Sequence, residues 1–298
     1  MDNIKQLAII GSTASGKTSL GVKVAQHIDA HILSLDSLSI YKEIDIVSAK
    51  PTLKEQEGIK HFGIDYLNPN DSFDVTTFID LYKEVYKKCQ DESKNLVIVG
   101  GTSFYLKMLI DGVSNIPTIS KKSRDEAQRL LLDLHKTYEM LNELDPQTMS
   151  NIKSSDRYRV EKALHIYLET KTVPSQYFEN HPPIPTIEST LPIYQIDWDR
   201  ETIRARIALR TKQMVKAGLV DEVAYLEKKY TREPNAMKAI GIKETLDYLD
   251  GIYTKDEMIE KITINTSRLA KRQKTFNNSQ FQNVLKGTLK ELEKSLLF

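Results

Sequence analysis

The sequence predicts an α/β fold in which a parallel sheet carries helices and is interrupted by a small all-helical insertion. A short apolar strand over 7–10 leads into a glycine-rich loop and a helix, and strand and helix patterns then alternate over the first third of the chain. From about 121 to 171 the apolar residues keep helical spacing without a strand signal. We therefore predict a core domain over 1–116 and 190–298, with a helical domain over 117–189 inserted into it.

The stretch AIIGSTASGKTSLGVKVA, which begins at Ala8, fits the pattern G-x-x-x-x-G-K-[ST] at Gly11, Gly16, Lys17 and Thr18. In this pattern backbone N–H groups turn inward around phosphate oxygens, the lysine adds a positive charge, and the hydroxyl can ligate Mg²⁺. The helix that follows points its positive end at the same anion. The loop therefore predicts a P-loop NTPase-like core with a phosphate site.

The later strands and helices are predicted from the same kinds of pattern. Short β-branched runs over 31–36 and 95–101 indicate strands, and 76–89 indicates a helix between them. One more strand is expected within 190–198, and helical periodicity dominates from Arg200 onward. Because this alternation is typical of a right-handed parallel sheet, ligands are expected at the carboxyl ends of its strands.

Composition is ordinary for a globular protein and excludes several other classes. Of the 298 residues, 40% are apolar and 28% are charged, and no apolar run approaches the roughly 18 residues of a membrane span. No signal-peptide pattern is present, and the single cysteine, Cys89, leaves no internal disulfide. We therefore expect a cytoplasmic protein without a membrane partner. The net charge of +1 does not by itself indicate a nucleic-acid partner.

A carboxylate and a hydroxyl follow two of the predicted strands. Asp36 ends the strand after the P-loop helix, and Thr102 follows Gly100 and Gly101 at the end of another strand. By the switch-point rule Asp36 lies beside the phosphate loop, where it can hold Mg²⁺ through water, act as a general base, or cap the next turn. The same arrangement suits a small-metabolite kinase, in which such an aspartate deprotonates the acceptor hydroxyl.

Three segments are rich in basic residues, although the whole chain is not. On a helical wheel for 259–276, apolar residues form one side and another side carries Lys261, Arg268, Lys271 and Arg272. Such a stripe suits a phosphate backbone, and a solvated helix face is the alternative. The other two segments carry Arg157, Arg159 and Lys162, with Tyr158 able to stack on a base, and Arg200, Arg204, Arg206 and Arg210. A small-metabolite kinase needs fewer basic segments than these.

Short motifs over nearly the whole chain resemble those of one enzyme family, the tRNA dimethylallyltransferases. They are GSTASGKT (11–18), DSLSIY (36–41), AKP (49–51), HFGID (61–65), GGTSFYLK (100–107), LDP (144–146), DRYRVEKAL (156–164), MVKAGLVDEV (214–223), AIGIKE (239–244) and SRLAKRQKTF (267–276). They follow the family's order, and the most diagnostic are the loop ending T-A-S-G-K-T and L-A-K-R-Q-x-T. The chain departs from the family pattern at Ser12, Ser39, Val47, Ser48, Lys162, His165, Phe276 and Asn278.

The resemblance implies transfer of a dimethylallyl group from dimethylallyl diphosphate to N6 of adenosine 37 in tRNA. It implies Asp36 as the base, Thr102 as a positioning hydroxyl, and Mg²⁺ on Thr18. The residues implied to bind the diphosphate are Gly11, Ser12, Thr13, Ala14, Ser15, Gly16, Lys17 and Thr18. The expected contacts with the tRNA anticodon stem-loop, basic stripe included, are Asp36, Ser37, Leu38, Ser39, Thr102, Arg124, Tyr158, Arg159, Val160, Glu161, Lys162, Arg268, Lys271 and Arg272.

Arg206 and Arg210 are additional candidates for binding the diphosphate or the RNA backbone. The helical domain is expected to contact tRNA, and the chain is expected to be a monomer.

Two other classes of function stay open. One is a small-metabolite or nucleotide kinase, which consumes the γ-phosphate of ATP, and the other is a non-catalytic RNA-binding P-loop module.

Overall fold

The computed structural model describes residues 4–187 and 190–297, and within it the chain forms two compact units. The first unit comprises the chain up to Lys107 and from Ile187 onward, and the second comprises Met108–Thr186. The second unit overlaps the interval 117–189 that the sequence assigns to an inserted domain. The role of that domain in contacting tRNA stays a prediction.

Parallel strands form the sheet of the first unit. They are β1 (Gln6–Gly11), β2 (Ala30–Ser34), β3 (His61–Phe62), β4 (Asn95–Gly100), β5 (Ile193–Ile196) and β6 (Leu285–Gly287). Their order across the sheet is β3-β2-β4-β1-β5-β6, and Ala8 of β1 lies between Ile98 of β4 and Ile193 of β5. The predicted parallel α/β sheet is therefore confirmed. Strands β3 and β6 were not predicted, and β6 lies in a region where the sequence indicated helices.

The α-helices account for most of the remaining described residues. They are α1 (Lys17–His27), α2 (Leu53–Gln56), α3 (Val75–Asp91), α4 (Ser103–Asp111), α5 (Lys121–Leu130), α6 (Leu134–Leu144), α7 (Pro146–Met149), α8 (Arg157–Thr170), α9 (Pro174–Asn180), α10 (Arg200–Lys216), α11 (Leu219–Tyr230), α12 (Ile242–Leu249), α13 (Lys255–Gln280) and α14 (Leu289–Leu297). A short 3₁₀ helix covers Asn235–Lys238. No helix in the described ranges is both long and apolar enough to cross a bilayer.

Helices cover both faces of the sheet, which explains why its central strands are continuous apolar runs rather than alternating patterns. Ile9, Ile32 and Val97 from three neighbouring strands pack in one buried cluster with Leu20 and Val24 of α1. This packing fixes the direction in which α1 leaves the loop after β1. The loop therefore opens at the carboxyl edge of the sheet.

The second unit is built from helices around a core of its own. Leu141 of α6, Val160 and Leu164 of α8, and Leu131 pack together with the rest of this core. Buried Asp145 accepts hydrogen bonds from the amides of Thr148 and Ser175, and so ties α7 and α9 to the end of α6. Within Met108–Thr186 the only β-type pairing is an isolated antiparallel bridge between Val113 and Ile184. The helical periodicity found in the sequence is thus confirmed here.

Candidate active site

A cleft of about 900 Å³ opens at the carboxyl edge of the sheet. The loop after β1, Asp36 after β2, and Gly101 after β4 all line it. A smaller cleft of about 280 Å³ adjoins it and is lined by Asp36, Ser37 and Thr102. Because parallel strands end at one edge, the topology itself brings together the loop, the carboxylate and the hydroxyl that the sequence singled out.

The carbonyl oxygens of the loop are held by side chains of α1, of α10 and of the segment after β5. Lys17 Nζ donates to the carbonyl oxygen of Ser12 at 2.6 Å, Arg206 Nε donates to that of Ala14 at 2.6 Å, and the indole N–H of Trp198 donates to that of Ser15 at 2.9 Å. Gly16 adopts a left-handed conformation with φ 97°, which turns the chain into α1 at no steric cost. The first-turn amides of α1 have no partner within the helix and are left for a ligand.

Lys17, Arg210 and Asp36 are charged groups of the cleft that act on one another. Lys17 is only 9% exposed, and burial, followed by the Arg210 guanidinium, lowers its pKa to about 7, while the Asp36 carboxylate acts in the opposite direction. Burial also lowers the pKa of Arg210, against the effect of Asp36 and Glu55. A bound anion would favour the charged form of Lys17, whereas the Arg210 guanidinium is charged with or without it. The cleft is therefore suited to a phosphate group.

Asp36 takes one of the roles that the sequence left open, that of capping the next turn. Its Oδ1 accepts hydrogen bonds from the amides of Leu38 at 2.8 Å and Ser39 at 3.1 Å, which is the capping role. Its Oδ2 receives no hydrogen bond from the described residues. One carboxylate oxygen is therefore fixed by the turn, and the other is available to a substrate.

Thr102 is fixed through its backbone near the same turn. Its amide donates to the carbonyl oxygen of Leu35 at 3.2 Å, and its hydroxyl lies 3.5 Å from the hydroxyl of Ser37. Thr102 lines the smaller cleft together with Asp36. This placement puts the two candidate catalytic residues beside one space.

Helix α10 supplies basic residues to the cleft. Arg210 donates to the hydroxyl of Thr13 at 3.3 Å and to the carbonyl oxygen of Ala49 at 3.4 Å, while Arg206 stacks over the Trp198 ring at 5.6 Å. Both arginines line the larger cleft, whereas Arg200 and Arg204 on the same helix do not. The loop and α10 are therefore in direct contact.

Several residues of the site were not identified from the sequence. Glu222 accepts hydrogen bonds from the amides of 45–47 and holds a wall of the larger cleft. Lys50 also lines this cleft and pairs with Asp45 and Asp65. Gln273 accepts a hydrogen bond from the Thr13 amide at 2.8 Å. These three residues lie within motifs that resemble the family's, and those motifs were the sequence signal that could have identified them. Trp198 lies outside the motifs, so the sequence held no such signal for it.

The basic stripe of α13 is exposed in the structure. Arg268, Lys271 and Arg272 face solvent and make no salt bridge with described residues, while Ile262 and Ala270 on the other side are buried. The two-sided helix predicted from the sequence is therefore present. Its contact with RNA stays a prediction.

The predicted tRNA contacts after β2 differ in exposure. Ser37 is exposed, Leu38 is half-buried, and Ser39 is buried, with its hydroxyl 3.3 Å from that of Ser34. Ser39, which stands where the family has glutamine, thus lies beneath the turn.

In the second unit the predicted tRNA contacts lie on α5 and α8. Arg124, Tyr158, Arg159 and Lys162 present exposed side chains, and Lys162 Nζ lies 5.4 Å from the Tyr158 ring centre. Two other predicted positions on α8 differ from these. The side chain of Val160 packs in the core of this unit, and Glu161 is half-buried and lies 3.9 Å from His165.

Comparisons with known proteins agree on one family. A family model described as IPP transferase matches residues 39–280. The chain is 64% identical to a tRNA dimethylallyltransferase of Sulfurovum sp. (strain NBC37-1) over 99% of its own length and 98% of that protein. It is 56% identical to a tRNA dimethylallyltransferase of Sulfurimonas denitrificans over 98% of each chain.

A solved structure extends the likeness to the fold. The chain is similar to the crystal structure of the tRNA isopentenylpyrophosphate transferase from Bacillus halodurans, with a TM-score of 0.72 and 28% identity. The match covers 98% of this chain and 94% of the other. The arrangement of loop, sheet and helices described above therefore belongs to a known architecture.

We expect anion binding to draw a proton onto Lys17. At pH 8 a lysine of pKa about 7 is mostly uncharged in the free protein, and a bound anion raises that pKa. Binding of inorganic pyrophosphate at pH 8 should therefore take up close to one proton more in the wild type than in Lys17→Arg, whose guanidinium is always charged. Calorimetry in buffers of different ionisation enthalpy measures this uptake.

The control for this experiment is pH 5.5, where Lys17 is already charged and the two proteins should take up equal numbers of protons. Equal uptake by both proteins at pH 8 as well would contradict a lowered pKa for Lys17.

Proposed function

This chain belongs to the IPP transferase family, and we propose that it transfers a dimethylallyl group from dimethylallyl diphosphate to N6 of adenosine 37 in tRNA. The observation that carries the proposal is that one cleft contains both a phosphate loop and a carboxylate, Asp36, with one oxygen free. Lys17 and Arg210 line the same cleft. The names of the relatives support this reaction over a kinase. The loop accordingly holds a leaving group.

The reaction requires stabilisation of negative charge on that leaving group. The bond between the allylic carbon and the diphosphate oxygen breaks with its electron pair going to oxygen, while the N6 lone pair forms the new C–N bond. Loop amides, Lys17 and Arg210 face the place where this charge develops. Because both cations are largely buried, their attraction to the diphosphate is less screened than at a surface.

Asp36 is proposed as the group that accepts the proton lost from the amine. Its Oδ1 is fixed by the Leu38 and Ser39 amides, so Oδ2 is held in one direction. A base held in position needs no reorganisation before proton transfer. The Thr102 hydroxyl, beside the same space, is proposed to position the amine.

Thr18 and Asp36 fit a Mg²⁺ ion that enters with the substrate. The Thr18 hydroxyl is exposed in the first turn of α1, and both residues line the larger cleft. The described residues hold no group of three or more His, Cys, Asp or Glu side chains suited to a metal, and Mg²⁺ at phosphate sites keeps waters and takes phosphate oxygens instead. When bound, Mg²⁺ would offset charge on the diphosphate.

The adenine is proposed to reach Asp36 by leaving the base stack. A stacked base cannot enter a cleft at a sheet edge, so enzymes that modify bases turn them outward into a pocket. The smaller cleft offers Ser37, Leu38 and Thr102 beside Asp36. On the outside of the first unit the basic stripe of α13 is proposed to hold tRNA phosphates.

We propose a cytoplasmic location and a monomeric state for this enzyme, as its sequence predicts. The helical unit Met108–Thr186 is proposed to contact the anticodon stem-loop through Arg124 and the exposed residues of α8.

Mass spectrometry of tRNA nucleosides tests the reaction directly. The protein is incubated with unmodified tRNA, dimethylallyl diphosphate and Mg²⁺, and isopentenyladenosine is the expected product. Formation of the product only when ATP is added, with its γ-phosphate consumed, would favour a kinase-like activity. Binding of tRNA with no product under several conditions would favour a non-catalytic RNA-binding module.

Replacement of Asp36 by asparagine should slow the chemical step by about 10²–10⁴-fold. The asparagine side chain keeps an oxygen for the Leu38 and Ser39 amides, so the turn should survive while the base is removed. Single-turnover rates at saturating substrates measure the effect. Asp71→Asn, on an exposed turn away from the cleft, is the control, and a near-normal rate in Asp36→Asn would leave Asp36 only the capping role.

Replacement of Arg268, Lys271 and Arg272 together by glutamine should weaken tRNA binding and reduce its dependence on salt. Each cation that no longer pairs with a phosphate lowers the slope of log affinity against log salt by about 0.7 to 0.9. Affinity for dimethylallyl diphosphate should not change, because the stripe is outside the cleft.

The matched control is the replacement by glutamine of Lys83, Lys87 and Lys88 on α3, which removes the same charge elsewhere. If the two triple variants show equal decreases in affinity and slope, the stripe is an ordinary solvated helix face.

A further inference from the structure

Gln273 reaches from α13 into the phosphate loop. Its Oε1 accepts a hydrogen bond from the Thr13 amide at 2.8 Å, in partly buried surroundings. Gly101 leaves the space for this side chain, since a Cβ there would stand 2.6 Å from Gln273 Nε2. An acceptor from another element thus occupies one of the amides that a phosphate loop normally offers to its ligand.

The Thr13 amide, which Gln273 occupies, lies where the larger cleft meets the smaller one. Ser15 to Thr18 line only the larger cleft, whereas Thr13, Asp36 and Gln273 line both clefts. A diphosphate bound along the inner part of the loop and the first turn of α1 therefore directs its organic group toward Thr13, Gln273 and Asp36. In a nucleoside triphosphate held the same way, a third phosphate group would stand there.

An organic diphosphate and a nucleoside triphosphate would place different groups beside the Thr13 amide. A phosphate oxygen accepts its hydrogen bond, but an allyl carbon does not, and an N–H left without an acceptor in a closed site weakens binding. Gln273 Oε1 supplies that acceptor when the neighbouring group is a hydrocarbon. The same oxygen carries partial negative charge and repels a third phosphate.

We propose that Gln273 is a specificity-determining residue that makes the loop a site for an organic diphosphate and disfavours triphosphates. The proposal rests on the proposed function, since it takes the diphosphate to be the ligand of the loop. It assigns to Gln273 a role separate from that of the basic stripe, although Arg272 precedes it on the same helix.

The test compares the affinities of inorganic pyrophosphate and inorganic tripolyphosphate at one Mg²⁺ concentration by calorimetry. Gln273→Met keeps the length of the side chain and removes the acceptor, so the affinity ratio should shift about tenfold toward tripolyphosphate. Gln273→Glu keeps an acceptor and adds a charge, so the ratio should shift in the opposite direction. Gln280→Met, exposed at the end of α13, is the matched control and should leave the ratio unchanged.

Opposite shifts in the two variants support the proposal, since a merely structural role for Gln273 would weaken both ligands alike. Unchanged ratios, or shifts of the same sign, would overturn it. Failure of the wild type to bind pyrophosphate would overturn both this proposal and the diphosphate site. Failure to form isopentenyladenosine while the opposite shifts persist would instead count against the proposed reaction alone.

Discussion

Hydrogen bonds from side chains to its carbonyl oxygens fix the conformation of the phosphate loop. A trans peptide unit presents its carbonyl and its N–H in opposite directions, so a bond to the carbonyl also orients the amide of the next residue. The donors are Lys17 at the start of α1, Arg206 of α10, and Trp198 in the segment after β5. The anion site is therefore a product of tertiary structure as much as of the motif.

Charged side chains of both signs line the same cleft, four basic and four acidic. Lys17 and Arg210 lie near the carboxylate of Asp36, and burial lowers the pKa of both cations. A bound anion would pair with both cations and would also favour the protonated form of Lys17. In the proposed reaction, the cations that bind the diphosphate also stabilise it as it leaves with the electron pair of the broken bond. Binding and chemistry thus depend on one arrangement of charges.

The sequence predicted the elements that depend on local pattern. Strands β1, β2 and β4 are buried apolar runs, and the phosphate loop is a contiguous motif. Each could therefore be recognised from one short stretch of the sequence. Strand β6 was missed because it is three residues long and its Leu285 is half exposed. Gln273 and Trp198 were missed as site residues because their partners lie far away along the chain. The different roles of the two oxygens of Asp36 likewise depend on the turn geometry, which no residue pattern specifies.

The packing of α14 against the beginning of the chain has a consequence for biosynthesis. Leu289 lies so close to Gly16 that a Cβ there would approach it to 3.1 Å, and Leu292 shares a buried cluster with Val22 of α1. The loop motif leaves the ribosome early, but the residues that brace it, from α10, α13 and α14, are translated long afterwards. A nascent chain therefore carries the motif without its supports for most of synthesis. The loop acquires the last of these contacts only when α14 has been made.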